Sequence, residues 1–488
     1  MKDVILSIDQ GTTGSTALLL DTDVHVIAAK NCEFPNHYPQ PGWVEHDVCE
    51  IWDSIASSIA QAREQAGEHQ IRAIGITNQR ETCLFWDKIT GEPIHRALVW
   101  QDRRTADFCQ ALKDKGLEEG ITAKTGLVLD PYFSGTKARW LLENVSGARE
   151  RAEKGDILFG TIDTWLIWKL CGAHVTDPSN ASRTLLFNIE TGDWDDELLK
   201  IFSIPRACLP SIVDNACVMG ETKDIAFVPD GIPVSGVAGD QQSALFGQAC
   251  FSSGEAKCTY GTGAFVLMNT GTERIMSKNR LLTTIAWRLN GVVTYALEGS
   301  AFVAGAAVQW LRDGMGIIRS APEVEDLATS VESSNGVSFV PALAGLGAPH
   351  WKPEARGLLS GITGGTTKAH VARAVLEGVA LQNVDILNAM SSDAGCPLQV
   401  LKVDGGMSKN NFLMQFQADV LGVDCVRPTV LETTALGAAF LAGLGVGIWS
   451  DTQAVQDAWK ESALFSPKMN ADQKDSHLLR WQEAVSKA

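Results

Sequence analysis

The chain has 488 residues, of which 45% are hydrophobic and 20% charged, and its formal net charge is −17. This is the composition of a globular protein with apolar material for more than one core, and the length allows two to four domains. The acidic balance argues against a nucleic-acid partner and against docking on an anionic membrane surface, since both need a basic footprint. A phosphorylated ligand stays open, because backbone N–H groups and a metal can hold phosphate.

Eleven cysteines are scattered singly with no CxxC pair. Reduced thiols and a cytoplasmic location are expected, rather than a disulfide framework or a zinc site. Met1-Lys2-Asp3 leads straight into a strand-like run with no signal-peptide core. The longest apolar stretch, Ala435 to Trp449, is too short to span a bilayer and reads as a buried helix with its exit, so no membrane insertion is expected.

In chain order, Val4 to Ile8, Ala17 to Leu20 and Val24 to Ala29 are short β-prone runs separated by turn residues, an antiparallel meander. The first connection, Asp9-Gln10-Gly11-Thr12-Thr13-Gly14, is rich in glycine and threonine. Val48 to Ala66 has helical spacing and ends near Gly67, whereas Arg72 to Thr77 and Leu98 to Gln101 read as strands. The alternation predicts an α/β domain.

The opening plan recurs from Glu255. Two strand-like runs, Glu255 to Tyr260 and Ala264 to Asn269, flank the turn Gly261-Thr262-Gly263, and Leu281 to Trp287 and Val292 to Leu297 follow. A helix is expected over about Ala301 to Arg312 and another over Lys368 to Ser391. Val403-Asp404-Gly405-Gly406-Met407-Ser408-Lys409-Asn410 is a third glycine turn, ahead of a helix to Leu421. The stretch after Asp451 reads as amphipathic helix. The chain thus divides into residues 1–250 and 251–488, each a meander feeding a mixed α/β domain.

Three glycine turns in this order suggest a nucleotide held between two domains, because each lets backbone N–H groups approach a phosphate. Any one alone is an ordinary hairpin. No GxxxxGK[ST] run occurs, so a P-loop is excluded. Gly443-Leu444-Gly445-Val446-Gly447 reads as close helix packing. Asp240, after the small apolar run Val234 to Gly239, is either a helix N-cap or a base taking a proton from a hydroxyl that attacks phosphate. Arg80 and Glu81, just past a strand end, could bind a polyol's hydroxyls or form a surface ion pair. Trp100, Tyr132 and Phe265 could wall a small polyol or pack in a core.

Together these segments resemble the FGGY family of carbohydrate kinases. The resemblance runs from Ile5 to about Trp449 and rests on Asp9 to Thr13, Pro41 to Asp47, Gly75 to Thr82, Asp130 to Lys137 with Trp140, Gly239 to Gln242, Tyr260 to Gly263, and Gly357 to Glu377 with Gly361, His370, Ala374 and Glu377 in register. It implies two ribonuclease-H-like domains of the actin/Hsp70/hexokinase ATPase type around a central cleft. It further implies transfer of the ATP γ-phosphoryl to glycerol, giving sn-glycerol 3-phosphate, with Mg2+ as metal and with Asp240 as the base.

By the same resemblance Arg80, Glu81, Trp100, Tyr132, Asp240, Gln241 and Phe265 hold the polyol. Thr12, Thr13, Gly14, Thr262, Gly305, Gln309, Gly406 and Asn410 touch the nucleotide, and Asp9 and Asp240 hold the metal. A homo-oligomer, dimer or tetramer, is implied too. The other readings kept are a kinase for dihydroxyacetone, erythritol or a ketopentulose, and a non-catalytic actin-like nucleotide switch. Thr16 stands where family members place an arginine near the phosphates. Glu221 to Gly231 lacks both the sugar-bisphosphate loop and the phosphorylated histidine of some relatives.

Overall fold

The computed structural model describes residues 2–488. Two mixed sheets organise it. The first runs in the order Ala216–Glu221, Pro233–Gly239, His69–Asn78, Lys2–Gln10, Gly14–Asp21, Val26–Glu33. Its last three strands form the antiparallel meander read from the sequence, and His69–Asn78 pairs in parallel with both Lys2–Gln10 and Pro233–Gly239. Parallel strands buried on both faces need near-continuous apolar runs, which Val4 to Ile8 supplies.

The second sheet has the order Leu282–Leu289, Val292–Ala301, Ala264–Gly271, Glu255–Tyr260, Val400–Asp404, Cys425–Pro428, Glu461–Phe465. Here the simple meander gives way. The third run, Leu282–Leu289, lies at the sheet edge, and Val292–Ala301 inserts between it and Ala264–Gly271. Asn290 and Gly291 both have positive φ, 51° and 78°, which folds these two runs into a tight hairpin. That hairpin keeps the partners together while the connector from Gly271 carries the chain to the edge.

Three further expectations need correction. Leu98 to Gln101 contributes only the two-residue strand Ala97–Leu98. The helix expected from Ala301 begins at Gly305, because Val292–Ala301 stays paired as far as Ala264 opposite Ala301. Beyond Asp451 the chain is not all helix. The exposed edge strand Glu461–Phe465 lies between the helices Thr452–Ala458 and Ala471–Lys487, its pairing supplied by Cys425–Pro428. No described helix is long and apolar enough to cross a membrane.

Two helices join the halves. Asp240–Gly247 leaves the end of Pro233–Gly239 and packs against strands of the second sheet, whereas Thr433–Gly445, from the second half, packs on the first sheet. They cross in backbone contact: a Cβ on Gly437 would overlap the Ser243 carbonyl oxygen, and one on Gly247 would overlap that of Thr433. Ser243 Oγ donates to the Thr434 carbonyl across the crossing at 2.7 Å. Gly445 likewise abuts the Ser235 carbonyl, the close packing read from the glycine run. One apolar cluster, with Ile5, Leu18, Phe246, Leu267, Trp287 and Phe440, spans both halves at this seam.

Candidate active site

The first strand delivers Asp9 to the head of the sheet, and the Gly/Thr turn closes behind it. Gly14 is buried, and its carbonyl accepts from Gly11 N–H at 2.9 Å, so Gly14 shapes the turn while Thr12 and Thr13 occupy its tip. The second turn repeats this closure between Gly261 N–H and the Gly263 carbonyl, also at 2.9 Å. The short helix Gly305–Gln309 starts against it: Ala304 and Ala306 N–H donate to the Thr262 carbonyl, and Gly305 N–H to that of Gly261.

The third turn leans on the second. Gly405 has φ +83°, and a Cβ there would lie 2.5 Å from the Tyr260 carbonyl oxygen. Gly406 beside it is exposed, with no heavy atom within 4 Å of where its Cβ would stand. A Cβ on Gly305 would lie 2.6 Å from the Gly261 carbonyl oxygen, so the helix start at Gly305 packs on the second turn by backbone, and Gly405 brings the third turn against Tyr260 at the foot of the same turn. Asn410 Oδ1 caps the helix Asn411–Leu421 by accepting from Leu413 N–H at 2.8 Å, which leaves its amide N–H groups for other work. Gln309 is exposed one turn along from Gly305.

Asp240 is the first residue of its helix, and Gly239 takes the N-cap position. The carboxylate is therefore not the capping residue; one oxygen accepts from Gln241 N–H at 2.6 Å and lies 3.0 Å from Arg80 Nε. The approach is off the Nε–H axis, which makes it an ion pair rather than an aligned hydrogen bond and leaves that donor without a partner. Asp240 is the accessible member of the group, with 32% of its side chain exposed. Burial, with the Asp240 charge adding to it, pushes the Asp9 carboxyl up to about 7. Asp9 feels the charge of Asp240, and two carboxylates within each other's field are a hard-oxygen donor set of the kind magnesium takes, so Asp9 and Asp240 fit the metal the family resemblance implies.

Arg80 and Glu81 are buried, not a surface pair. Arg80 forks onto Glu298 through Nη1 at 2.6 Å and Nη2 at 2.8 Å, and Glu81 accepts from Arg183 Nε at 2.7 Å. Burial raises the Glu298 pKa, but Arg183 and Arg80 outweigh it and hold the carboxyl down at about 2. For Glu81 burial wins over the same two cations and the pKa is raised. Arg183 and Glu298 were missed from the sequence. The available signal was a lone acidic residue in the apolar run Thr294 to Ala301, since charged residues are almost never fully buried unless paired.

Trp100 and Tyr132 meet edge to face with ring centroids 5.6 Å apart, and Trp100 Nε1 donates to Thr12 Oγ1 at 2.9 Å, tying the aromatic wall to the first turn. Buried Lys137 donates to three successive carbonyls, of Pro131, Tyr132 and Phe133, and so fixes the loop that presents Tyr132. Trp100, Tyr132, Thr262, Phe265 and Glu298 line one cleft of about 650 Å³. Gln241 Oε1 accepts from buried Lys257, which leaves the Gln241 amide N–H groups unused.

Residues 4–247 match the N-terminal domain of the FGGY family of carbohydrate kinases, and residues 256–446 match its C-terminal domain. The chain belongs to that family. Glycerol kinase of Myxococcus xanthus is 58% identical over 99% of this chain and 99% of its own length. Glycerol kinase 2 of Thermotoga maritima is 56% identical over 99% and 98%. A crystal structure of Plasmodium falciparum glycerol kinase with ADP superposes with a TM-score of 0.95 at 39% identity, covering 100% of this chain and 98% of that one. Ligand-bound xylulose kinase from Lactobacillus acidophilus, at 22% identity and a TM-score of 0.89 over 99% and 97% of the two chains, shares the fold. This FGGY kinase therefore has the two-domain actin/hexokinase-type ATPase architecture.

Proposed function

We propose that this FGGY kinase transfers the γ-phosphoryl group of ATP to glycerol, giving sn-glycerol 3-phosphate and ADP. The observation that carries the reading is the junction of Asp240 with the buried Arg80 and Glu81 beside the Trp100–Tyr132 wall. A hydroxyl held by Arg80 Nε–H and Glu81 lies next to a carboxylate that is open to the cleft. Asp240 takes the proton of that hydroxyl as it attacks phosphorus. Trp100, Tyr132 and Phe265 cover the carbon skeleton and exclude water, and Gln241 adds a donor. The backbone groups of the turns at Thr12-Thr13, Thr262 and Gly406, with Gly14, Gly305, Gln309 and Asn410, hold the nucleotide. Asp9 and Asp240 would hold magnesium, and the chemistry it would supply there is neutralisation of phosphate charge during transfer. The 54–58% identity to glycerol kinases over nearly the full chain supports glycerol over larger acceptors.

A cytoplasmic homo-oligomer belongs to the same reading. The cysteines are all free, and light scattering of the eluted protein reads the assembly. The division at residue 250 also belongs to it. An ADP-release assay over glycerol, dihydroxyacetone, erythritol and xylulose tests the substrate. Glycerol should give the highest kcat/KM, and a preference for xylulose would sink the assignment. ATP binding with no acceptor-dependent release would favour the nucleotide switch.

A further inference from the structure

Four buried charges surround the polyol position. Glu81 is 1% exposed, Arg80 and Glu298 are 3%, and Arg183 is 0%. They form a ring. Glu298 takes both terminal nitrogens of Arg80, Arg183 Nη2 donates to Glu298 Oε1 at 3.3 Å, Arg183 Nε donates to Glu81, and Arg80 Nε lies 3.8 Å from Glu81 Oε1. Arg80, Glu81 and Arg183 come from the first half of the chain, whereas Glu298 comes from a strand of the second sheet. The pocket is therefore assembled from both halves.

Counting donors and acceptors shows what the ring does. A guanidinium has five N–H donors, and a carboxylate only accepts. Arg80 Nη1 is committed to Glu298 and to Gln242 Oε1 at 3.2 Å, and Nη2 to Glu298. Nε–H is left without an aligned acceptor. Glu81 Oε1 is committed to Arg183, and Oε2 accepts no hydrogen bond among the described residues. Of the five donors the ring thus leaves Arg80 its Nε–H and one Nη2 N–H, and it leaves Glu81 its Oε2 as acceptor. The guanidinium of Arg183 also lies 5.7 Å from the centre of the Tyr132 ring, so the same residue borders the aromatic wall. A ring of two cations and two carboxylates is a poor stabilising device, because desolvating the charges cancels most of their attraction. Its geometry does have a use in recognition.

We propose that Arg183 and Glu298 are positioning residues that make the pocket selective for a pair of adjacent hydroxyls. Glu298 aims Arg80 at one hydroxyl oxygen, and Arg183 aims Glu81 to accept from the neighbouring hydroxyl. This rests on the polyol-kinase reading of the site.

The test compares wild type with Glu298→Gln and Arg183→Lys. The first puts an amide against the Arg80 fork, and the second keeps a charge that cannot bridge two carboxylates. Both should raise the glycerol KM by about tenfold or more while the ATP KM moves by less than about twofold. Both should also lower discrimination between glycerol and the propanediol that lacks the central hydroxyl by about tenfold. A fall in denaturation midpoint with unchanged glycerol KM and unchanged discrimination overturns the proposal and leaves a structural ring. Glu298→Asp, which keeps the charge but withdraws it, repeats the comparison if Glu298→Gln does not fold.

If wild type fails to phosphorylate glycerol, the proposed function falls, and polyol-induced thermal shift decides the ring separately. The polyol that raises the wild-type midpoint should lose that effect in Arg183→Lys and Glu298→Asp. A retained shift, or no shift by any polyol on wild type, overturns the positioning role.

Discussion

Replacing Gly437 with alanine should misplace the base without touching the site. Gly437 lies where Thr433–Gly445 crosses Asp240–Gly247, and an added Cβ would overlap the Ser243 carbonyl oxygen. The same Cβ would stand 2.6 Å from the Ser243 carbonyl carbon and 2.8 Å from Ser243 Oγ, where ordinary contact begins at 3.4 Å. Ser243 Oγ could rotate away, but the Ser243 carbonyl carbon and oxygen are helix backbone and cannot, so the helices must part by about 1 Å. Overpacking of this kind costs about 1–3 kcal/mol. The catalytic effect is the sharper one, because Asp240 is three residues before Ser243 on the same helix, and a displacement of about 1 Å at reacting groups can cost about 10²-fold in rate. Urea denaturation and steady-state turnover measure the two effects. Gly364→Ala serves as control, since its Cβ would meet nothing within 4 Å. A Gly437→Ala protein with wild-type midpoint and turnover would refute the reasoning.

Asp240→Asn should lower kcat by at least the ~10²–10⁴-fold expected of a general base, while calorimetry still detects glycerol and ATP; near-normal turnover removes Asp240 from that role. Arg80→Ala leaves the buried Glu298 with only Arg183, so a loss of about 3–5 kcal/mol in urea is expected, together with a glycerol KM raised far more than the ATP KM. A rise mainly in the ATP KM would move Arg80 to the nucleotide. Asp9 supplies a pH signature. Its carboxyl is raised from 3.8 to about 7 in the folded protein by burial and by Asp240. The stabilisation is therefore complete below the unfolded value and is lost as pH rises through the folded one. Without metal or nucleotide, the stability gap between Asp9→Asn and wild type should widen from pH 5 to about 7 and then level off. Added magnesium should narrow it, and a gap independent of pH would remove Asp9 from this role.

What could be read from the sequence follows the physics of each signal. Val48–Ala66 is marked at both ends, by Asp47 accepting from Cys49 N–H and by Gly67 at positive φ, so its limits were legible. The strand order of the second sheet was not, because periodicity identifies a strand but not its neighbour; only the Asn290-Gly291 turn hinted at the pairing. Glu461–Phe465 escaped because a short, mostly exposed edge strand takes its conformation from its partner. In the site, the phosphate turns and the strand–helix junction at Asp240 were visible as local glycine chemistry. Arg183 and Glu298 were not, for they meet Glu81 and Arg80 only through contacts 102 and 218 residues apart in sequence.

Phosphorus NMR of a reaction containing the protein, glycerol and MgATP tests the account most directly. The account predicts that the γ-phosphate signal of ATP is replaced, mole for mole with ADP, by a single phosphomonoester that a dehydrogenase specific for sn-glycerol 3-phosphate then oxidises in full. Inorganic phosphate accumulating in its place, or a racemic glycerol phosphate, would contradict it.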